Sequence, residues 1–291
     1  MLYSMTGYGR AEETVGEMTF LAEVRSLNGK QLDIRLQIPP VLKPYEFDIR
    51  NMLGSELERG SVECIITVKQ NGASKPVTIN TDLLKAYYQS VTAVAEELKA
   101  DVGQLVAAIL RLPEVVVNST EMLTAKNWKQ CSEVLLHALN ELNEHRKNEG
   151  AALEADLLER LKNIEAQGEL IKALEPERRE KIRENLVKLL EENAGKENYD
   201  PNRMEQELIY YIEKIDISEE QVRLKNHCDY FRSILKAKEK SKGKKLSFIL
   251  QEFGREINTT GSKANNAGIQ KCVVMMKDEL EKAKEQVLNV L

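Results

Sequence analysis

The chain has 291 residues, 42% of them hydrophobic and 31% charged, with a net charge of −5. That length can bury two cores, and no apolar run approaches the roughly 20 residues of a membrane span. The acidic average hides a reversal: residues 223–263 carry eleven Lys or Arg against four Asp or Glu, a local +7 that leaves −12 for the rest. Such a basic segment is either a footprint for phosphate or a solvated helix end.

The start, Met1-Leu2-Tyr3-Ser4-Met5-Thr6-Gly7, lacks the basic and long apolar regions of a signal peptide. Four scattered cysteines, Cys64, Cys131, Cys228 and Cys272, read as free buried thiols in a reducing cytoplasm.

A first strand is expected over Tyr3–Arg10. Phe20, Ala22 and Val24, then Leu32, Ile34, Leu36 and Ile38, alternate with polar residues as in half-buried strands. Asn28-Gly29 lies between the two runs and is a strong hairpin signal. A helix is expected over 44–58, then a strand through Val62, Cys64, Ile66 and Val68. The result is a β-β-β-α-β sheet with a helix on one face.

From Asp82 the pattern turns helical, with Asn118-Ser119-Thr120 as a turn. A long helix from Trp128 should end at Glu175-Pro176. Its apolar seam is interrupted by Arg146 and Glu149. A helix follows over 177–192, and another starts at Asp200-Pro201, with Asp as cap and Pro at the first helical position. Ser218 and Gln221 make a capping box for the next helix.

Leu246, Ile249, Leu250, Phe253 and Ile257 form the stripe of a helix over 246–259. The last helix, 264–291, has apolar residues at 269, 273, 276, 280, 283, 287 and 290, a heptad seam that needs a partner. The fold class is α+β, with an N-terminal sheet and helix domain over 1–118 and a helical domain over 119–291.

Signatures of nucleotide loops, zinc proteases and serine hydrolases are absent. Carboxylates carry the chemistry instead. Glu252 and Glu256 are four apart on one helix face, and like charges repel there unless a cation offsets them. Carboxylates on facing helices, such as Glu149 and Glu205, can join them around Mg²⁺ or Mn²⁺. The alternative is that Arg146–Glu149 and Arg255–Glu252 are plain ion pairs. His227, one turn from Leu224 and Phe231, is either a proton-transfer group or a packed core histidine.

Five segments in order carry a resemblance: Met5-Thr6-Gly7-Tyr8-Gly9-Arg10-Ala11-Glu12; Glu23 to Ile34; Arg146-Lys147-Asn148-Glu149-Gly150 with Asp156-Leu157; Arg203-Met204-Glu205-Gln206-Glu207 with Lys214 to Glu220; and Leu246 to Lys263. On these the chain resembles the YicC/YloC family of bacterial proteins over nearly its whole length. One departure is Gly254, where the family usually has Asn.

The resemblance implies a cytoplasmic, metal-dependent endoribonuclease, acting as a homo-oligomer, a hexamer, with no nucleotide cofactor. Under it, Glu252, Glu256 and His227 are the catalytic candidates, and Glu149, Glu205, Glu252 and Glu256 the ligands of Mn²⁺ or Mg²⁺. Arg10, Arg25, Asn28, Lys30, Arg223, Arg255 and Lys263 are the candidates for holding RNA. The competing reading is an oligomeric RNA-binding or adaptor protein that does no chemistry.

Overall fold

A computed structural model of the chain describes residues 1–70, 78–98, 104–117, 125–194 and 201–291. The expected turn at Asn118-Ser119-Thr120, the boundary at 118/119 and the Asp200 cap lie outside the described residues.

The N-terminal region is a four-stranded sheet of β1 (Gly7–Val15), β2 (Met18–Leu27), β3 (Leu32–Gln37) and β4 (Gly60–Gln70), in the order β1-β2-β4-β3. A 3₁₀ turn and helix α1 (Glu46–Glu56) carry the chain from β3 to the parallel strand β4. Phe20, Ala22, Val24, Val62, Cys64 and Ile66 point inward from the two central strands and are buried. Alternation therefore placed the core face correctly.

The pairing differs from expectation. The hairpin lies at Gly16-Glu17 between β1 and β2, and β4 separates β2 from β3. Asn28-Gly29 is instead a crossing point. A Cβ on Gly29 would lie 2.8 Å from Ser61 N, so the chain passes hard against the start of β4. A local turn signal cannot report that packing.

After a small β5–β6 pair (Thr78–Ile79 with Val116–Val117) and helices α2 (Thr81–Leu98) and α3 (Leu105–Ile109), the chain enters α4, Ala125–Ala194. At 1.5 Å per residue its 70 residues span about 105 Å. It does not stop at Pro176, as expected, but runs through it. Pro176 and Lys172 are both exposed, so the carbonyl deprived of an N–H can meet water.

One helix serves two cores. Cys131, Val134, Leu135, Ala138, Leu139 and Leu142 close the sheet's inner face. Leu153, Leu157, Leu161, Ile164 and Ile171 pack with the C-terminal helices. Gly9 permits the close approach of β1, since a Cβ there would lie 2.0 Å from Ala138 O. Between the two cores sits buried Arg146, which donates to Met5 O at 3.1 Å and to Ser26 Oγ. It therefore does not pair with Glu149. Burial lowers its pKa.

Four helices complete the chain: α5 (Pro201–Ile215), α6 (Ser218–Lys236), α7 (Gly243–Lys263) and α8 (Ala267–Val287). The α6 N-terminus uses Asp216 rather than a Ser218 capping box, its carboxylate accepting from Ser218 N at 3.2 Å. Asn266 caps α8 by accepting from Gly268 N and Ile269 N.

The heptad seam of α8 finds its partner inside the chain. Ile269, Val273, Met276, Leu280, Ala283 and Val287 belong to the core shared with α4, α6 and α7. Leu280 is 2% exposed. Leu280→Asp is therefore expected to destabilise the fold by about 4 kcal/mol or more. Thermal unfolding checks this: an unchanged midpoint with a smaller assembly would place the seam between copies.

Arg160 and Asn163 on α4 both donate to Glu279 of α8, at 3.2 and 2.9 Å. Asn163, with Lys282 and Arg160, outweighs burial and holds the Glu279 carboxyl at about 2, below its ordinary 4.5. The unfolded chain regains the ordinary value, so on acidification it takes up this proton first. The contribution is complete above the ordinary value and is lost as pH falls toward 2. Glu279→Gln should flatten the fall of the unfolding midpoint between about pH 5 and 2 and lower it at neutral pH. Parallel curves for parent and variant would refute the assignment.

All four cysteines are free and buried, and burial pushes the thiols of Cys64, Cys131 and Cys228 up to about 12. Among the described residues no helix is long and apolar enough to cross a membrane.

Candidate active site on the α6–α7 face

Helices α6 and α7 pack antiparallel, and two contacts fix their register. At one end Lys263 Nζ meets Glu220 Oε1 at 2.8 Å. Further along, the His227 and Phe253 rings lie 6.4 Å apart between centroids. The residues between these contacts are Arg223 and Leu224 on α6, and Glu256, Ile257 and Thr260 on α7. Leu224, Ile257 and Thr260 are buried and seal the joint.

Glu256 is the unusual member. It is only 8% exposed, yet among the described residues it has no ion pair and no hydrogen bond. Its stem is buried, while its carboxylate oxygens keep contact with solvent and are open to a ligand. Glu252, one turn earlier and half-buried, is held by Arg255, 3.1 Å away. That is the plain ion pair considered above, and it leaves Glu252 facing the same way as Glu256. Arg223 is exposed and pairs with Glu219.

Lys263 is engaged structurally. Its ammonium also donates to Asp216 O at 3.0 Å. Beside it, Arg178, whose side chain is 1% exposed, bonds Glu175 at 2.7 Å. Arg178 also donates to Ile215 O and Lys263 O, both at 2.9 Å, and so ties the ends of α5 and α7 to α4. Gly254 faces another way: a Cβ there would lie 3.5 Å from Leu280 and 4.0 Å from Lys284 Nζ on α8. An Asn at this position would point at α8.

Glu149 and Glu205 are not brought to Glu252 and Glu256. Glu149 accepts from Thr6 Oγ1 at 2.7 Å and lies 3.9 Å from His145, at the junction with the sheet. Glu205 is exposed on α5. Among the described residues no three of His, Cys, Asp or Glu are grouped as a metal site.

The N-terminal candidates lie on the sheet and its crossing loop. Arg10 pairs with Glu12 at 3.0 Å and approaches Glu23 at 3.9 Å. The Arg25 guanidinium lies over the Tyr8 ring, 5.5 Å from its centroid. Asn28 donates to Asn289 Oδ1 at 2.6 Å, and Lys30 is exposed. Thr6 and Asn289 were not singled out from sequence. Thr6 belonged to a recognised motif, but nothing local told that it meets Glu149.

A family model described as endoribonuclease YicC-like, N-terminal region, matches residues 2–155, and one described as endoribonuclease YicC-like, C-terminal, matches residues 171–291. The chain belongs to the YicC-like endoribonuclease family. Two curated relatives share 31% identity with it, over 297 and 296 residues, and each comparison covers the whole of both chains. Both are named probable endoribonuclease YicC, one from Clostridioides difficile and one from Haemophilus influenzae. The two family regions match the two cores: the first takes in the sheet with the α4 residues that close it, the second the α6–α8 packing. The Glu256 face lies in the second.

Proposed function

We propose that this protein is an endoribonuclease that cleaves RNA phosphodiester bonds on the α6–α7 face, aided by a divalent cation at Glu252 and Glu256. The observation that carries the reading is Glu256, only 8% exposed and with no ion pair or hydrogen bond among the described residues, on the same face of α7 as Glu252. Two carboxylates suffice for Mg²⁺ or Mn²⁺, since such ions are commonly held by one or two carboxylates, with water and substrate phosphate completing the shell. When bound, the cation would supply charge stabilisation at the phosphate and lower the pKa of a water.

The chain's own groups have distinct tasks. Arg223 exchanges Glu219 for a phosphate oxygen and sets the backbone's position. The His227 imidazole, seated against Phe253, passes a proton to the leaving oxygen. Arg255 holds Glu252 in position through their ion pair. Arg25 on β2 and Lys30 in the crossing from β2 to β3 hold a more distant stretch of RNA backbone.

The protein works in the cytoplasm as a homo-oligomer in this reading, in keeping with the hexamer implied by the family resemblance. Support for assembly comes from α5, whose Ile209, Tyr210 and Tyr211 are exposed. The test is labelled RNA with the pure protein in Mn²⁺, in Mg²⁺ and in chelator. Cleavage with metal and none with chelator is expected. RNA bound but uncut under every condition would favour the adaptor reading, and the end groups of the products would separate hydrolysis from 2′-hydroxyl attack.

A further inference from the structure

The turn joining α6 to α7 is a strongly basic stretch of the chain. Residues 236–245 hold six lysines against Glu239 alone. Lys242 is withdrawn into the protein, its ammonium donating to Leu235 O at 2.6 Å and Met1 O at 3.2 Å. Lys245 is occupied by Glu239 at 2.5 Å. Lys236, Lys238, Lys240 and Lys244 are exposed, and among the described residues none of them has an ion pair. The buried Lys242 thus anchors the turn, and the other four leave a concentrated positive charge in solvent.

Two aromatic rings stand beside this charge, both turned outward. Tyr230 on α6 is 57% exposed and Phe248 on α7 is 56% exposed. Helical spacing places Phe248 between Lys244, four residues before it, and Glu252, four residues after it, on one stripe of α7. On α6, Tyr230 and His227 share a stripe in the same way. Lys245, whose pKa is raised chiefly by Glu239 and further by nearby Tyr230, is one helical turn from Phe248, which brings the two rings to neighbouring positions. Lysine charge, aromatic faces and the Glu252–Glu256 pair therefore follow one another along one helix pair.

We propose that this strip is the entry site for single-stranded RNA: the free lysines of the turn hold the backbone and Phe248 and Tyr230 stack unpaired bases. An aromatic face is offered to unstacked bases and has nothing to bind in a duplex. The strip therefore selects single-stranded segments and feeds them toward Glu256. The inference rests on the proposed cleavage at that face, and it adds the substrate class and the residues that choose it.

The test uses the full-length protein in chelator. It compares a labelled single-stranded RNA of about 20 nucleotides with a duplex of the same length, by fluorescence anisotropy across a salt series. Phe248→Ala and Tyr230→Ala should each weaken single-strand binding by about tenfold or more and leave duplex binding nearly unchanged. Gln at the four free lysines should reduce the salt slope by about 3, since each neutralised phosphate of a single strand contributes about 0.7. All six side chains are exposed, so these variants should fold.

Unchanged single-strand affinity in the aromatic variants would overturn the inference, and a drop in molecular mass alongside it would identify the strip as an interface between copies. If the parent cuts RNA with metal while the variants bind normally, only the entry site is wrong. If the parent neither binds nor cuts RNA, the proposed cleavage falls with it.

Discussion

Glu256→Gln is expected to lower metal-dependent RNA cleavage by at least about a hundredfold, a loss of roughly 2.7 kcal/mol of transition-state stabilisation. The stem of Glu256 is buried, and among the described residues no side chain pairs with its carboxylate, so removing the charge costs the fold no ion pair. Glutamine keeps the shape and removes the charge. The variant should therefore unfold at the same temperature as the parent or higher, while RNA affinity persists.

Loss of activity with undiminished stability is the mark of a group kept for chemistry. Glu252→Gln should lose activity as well, and it also frees Arg255 from its ion pair. The measurement is cleavage rate at saturating metal beside an unfolding curve. Undiminished cleavage in both variants would show that the carboxylates only brace the helices. A large fall in stability for Glu256→Gln would show that the side chain is structural.

Arg178→Ala should have the largest effect on stability. Removing the side chain takes the buried guanidinium away from Glu175 and strips hydrogen bonds from Ile215 O and Lys263 O. Breaking a buried pair from one side costs about 3–5 kcal/mol. At roughly 2–4 °C per kcal/mol for a protein of this size, the unfolding midpoint should fall by about 10 °C. Replacing Arg178 and Glu175 together by Met and Gln should recover part of the loss, since the carboxylate leaves together with the guanidinium that faced it. If the single variant melts within about 2 °C of the parent, the clamp contributes little.

Much of the fold was legible because burial is periodic. Leu32, Ile34 and Leu36 alternate, and Ile269 to Val287 recur in heptads, and both patterns mark the faces that the structure buries. Connectivity was less legible. Asn28-Gly29 has the chemistry of a hairpin, but strand order depends on which edges meet across the sheet, and β4 outcompetes β3 for β2.

The same divide runs through the site. Glu252 and Glu256 were visible because four-residue spacing is a local property. The engagement of Glu149 with Thr6 and of Lys263 with Glu220 was not, because those partners are 143 and 43 residues away. Charge alone does not distinguish a lysine that waits for phosphate from one already claimed.

The first residues of the chain are held by the last. Ser4 bridges to Val290, Met5 N donates to Asn289 O at 2.8 Å, and Leu291 N donates to Tyr3 O at 2.9 Å. These contacts cannot form on the ribosome until residues 289–291 have emerged. At about 5–20 residues per second, the opening hexapeptide waits on the order of 15–60 seconds for its partners. The sheet can assemble meanwhile, because β1 to β4 and the first turns of α4 are made early. Its junction with α4 can begin to form through Ser4 N to Arg146 O and Thr6 to Glu149, but it is completed only when residues 289–291 arrive. A nascent chain arrested before residue 289 should thus expose the opening segment to protease while the strands behind it are already protected.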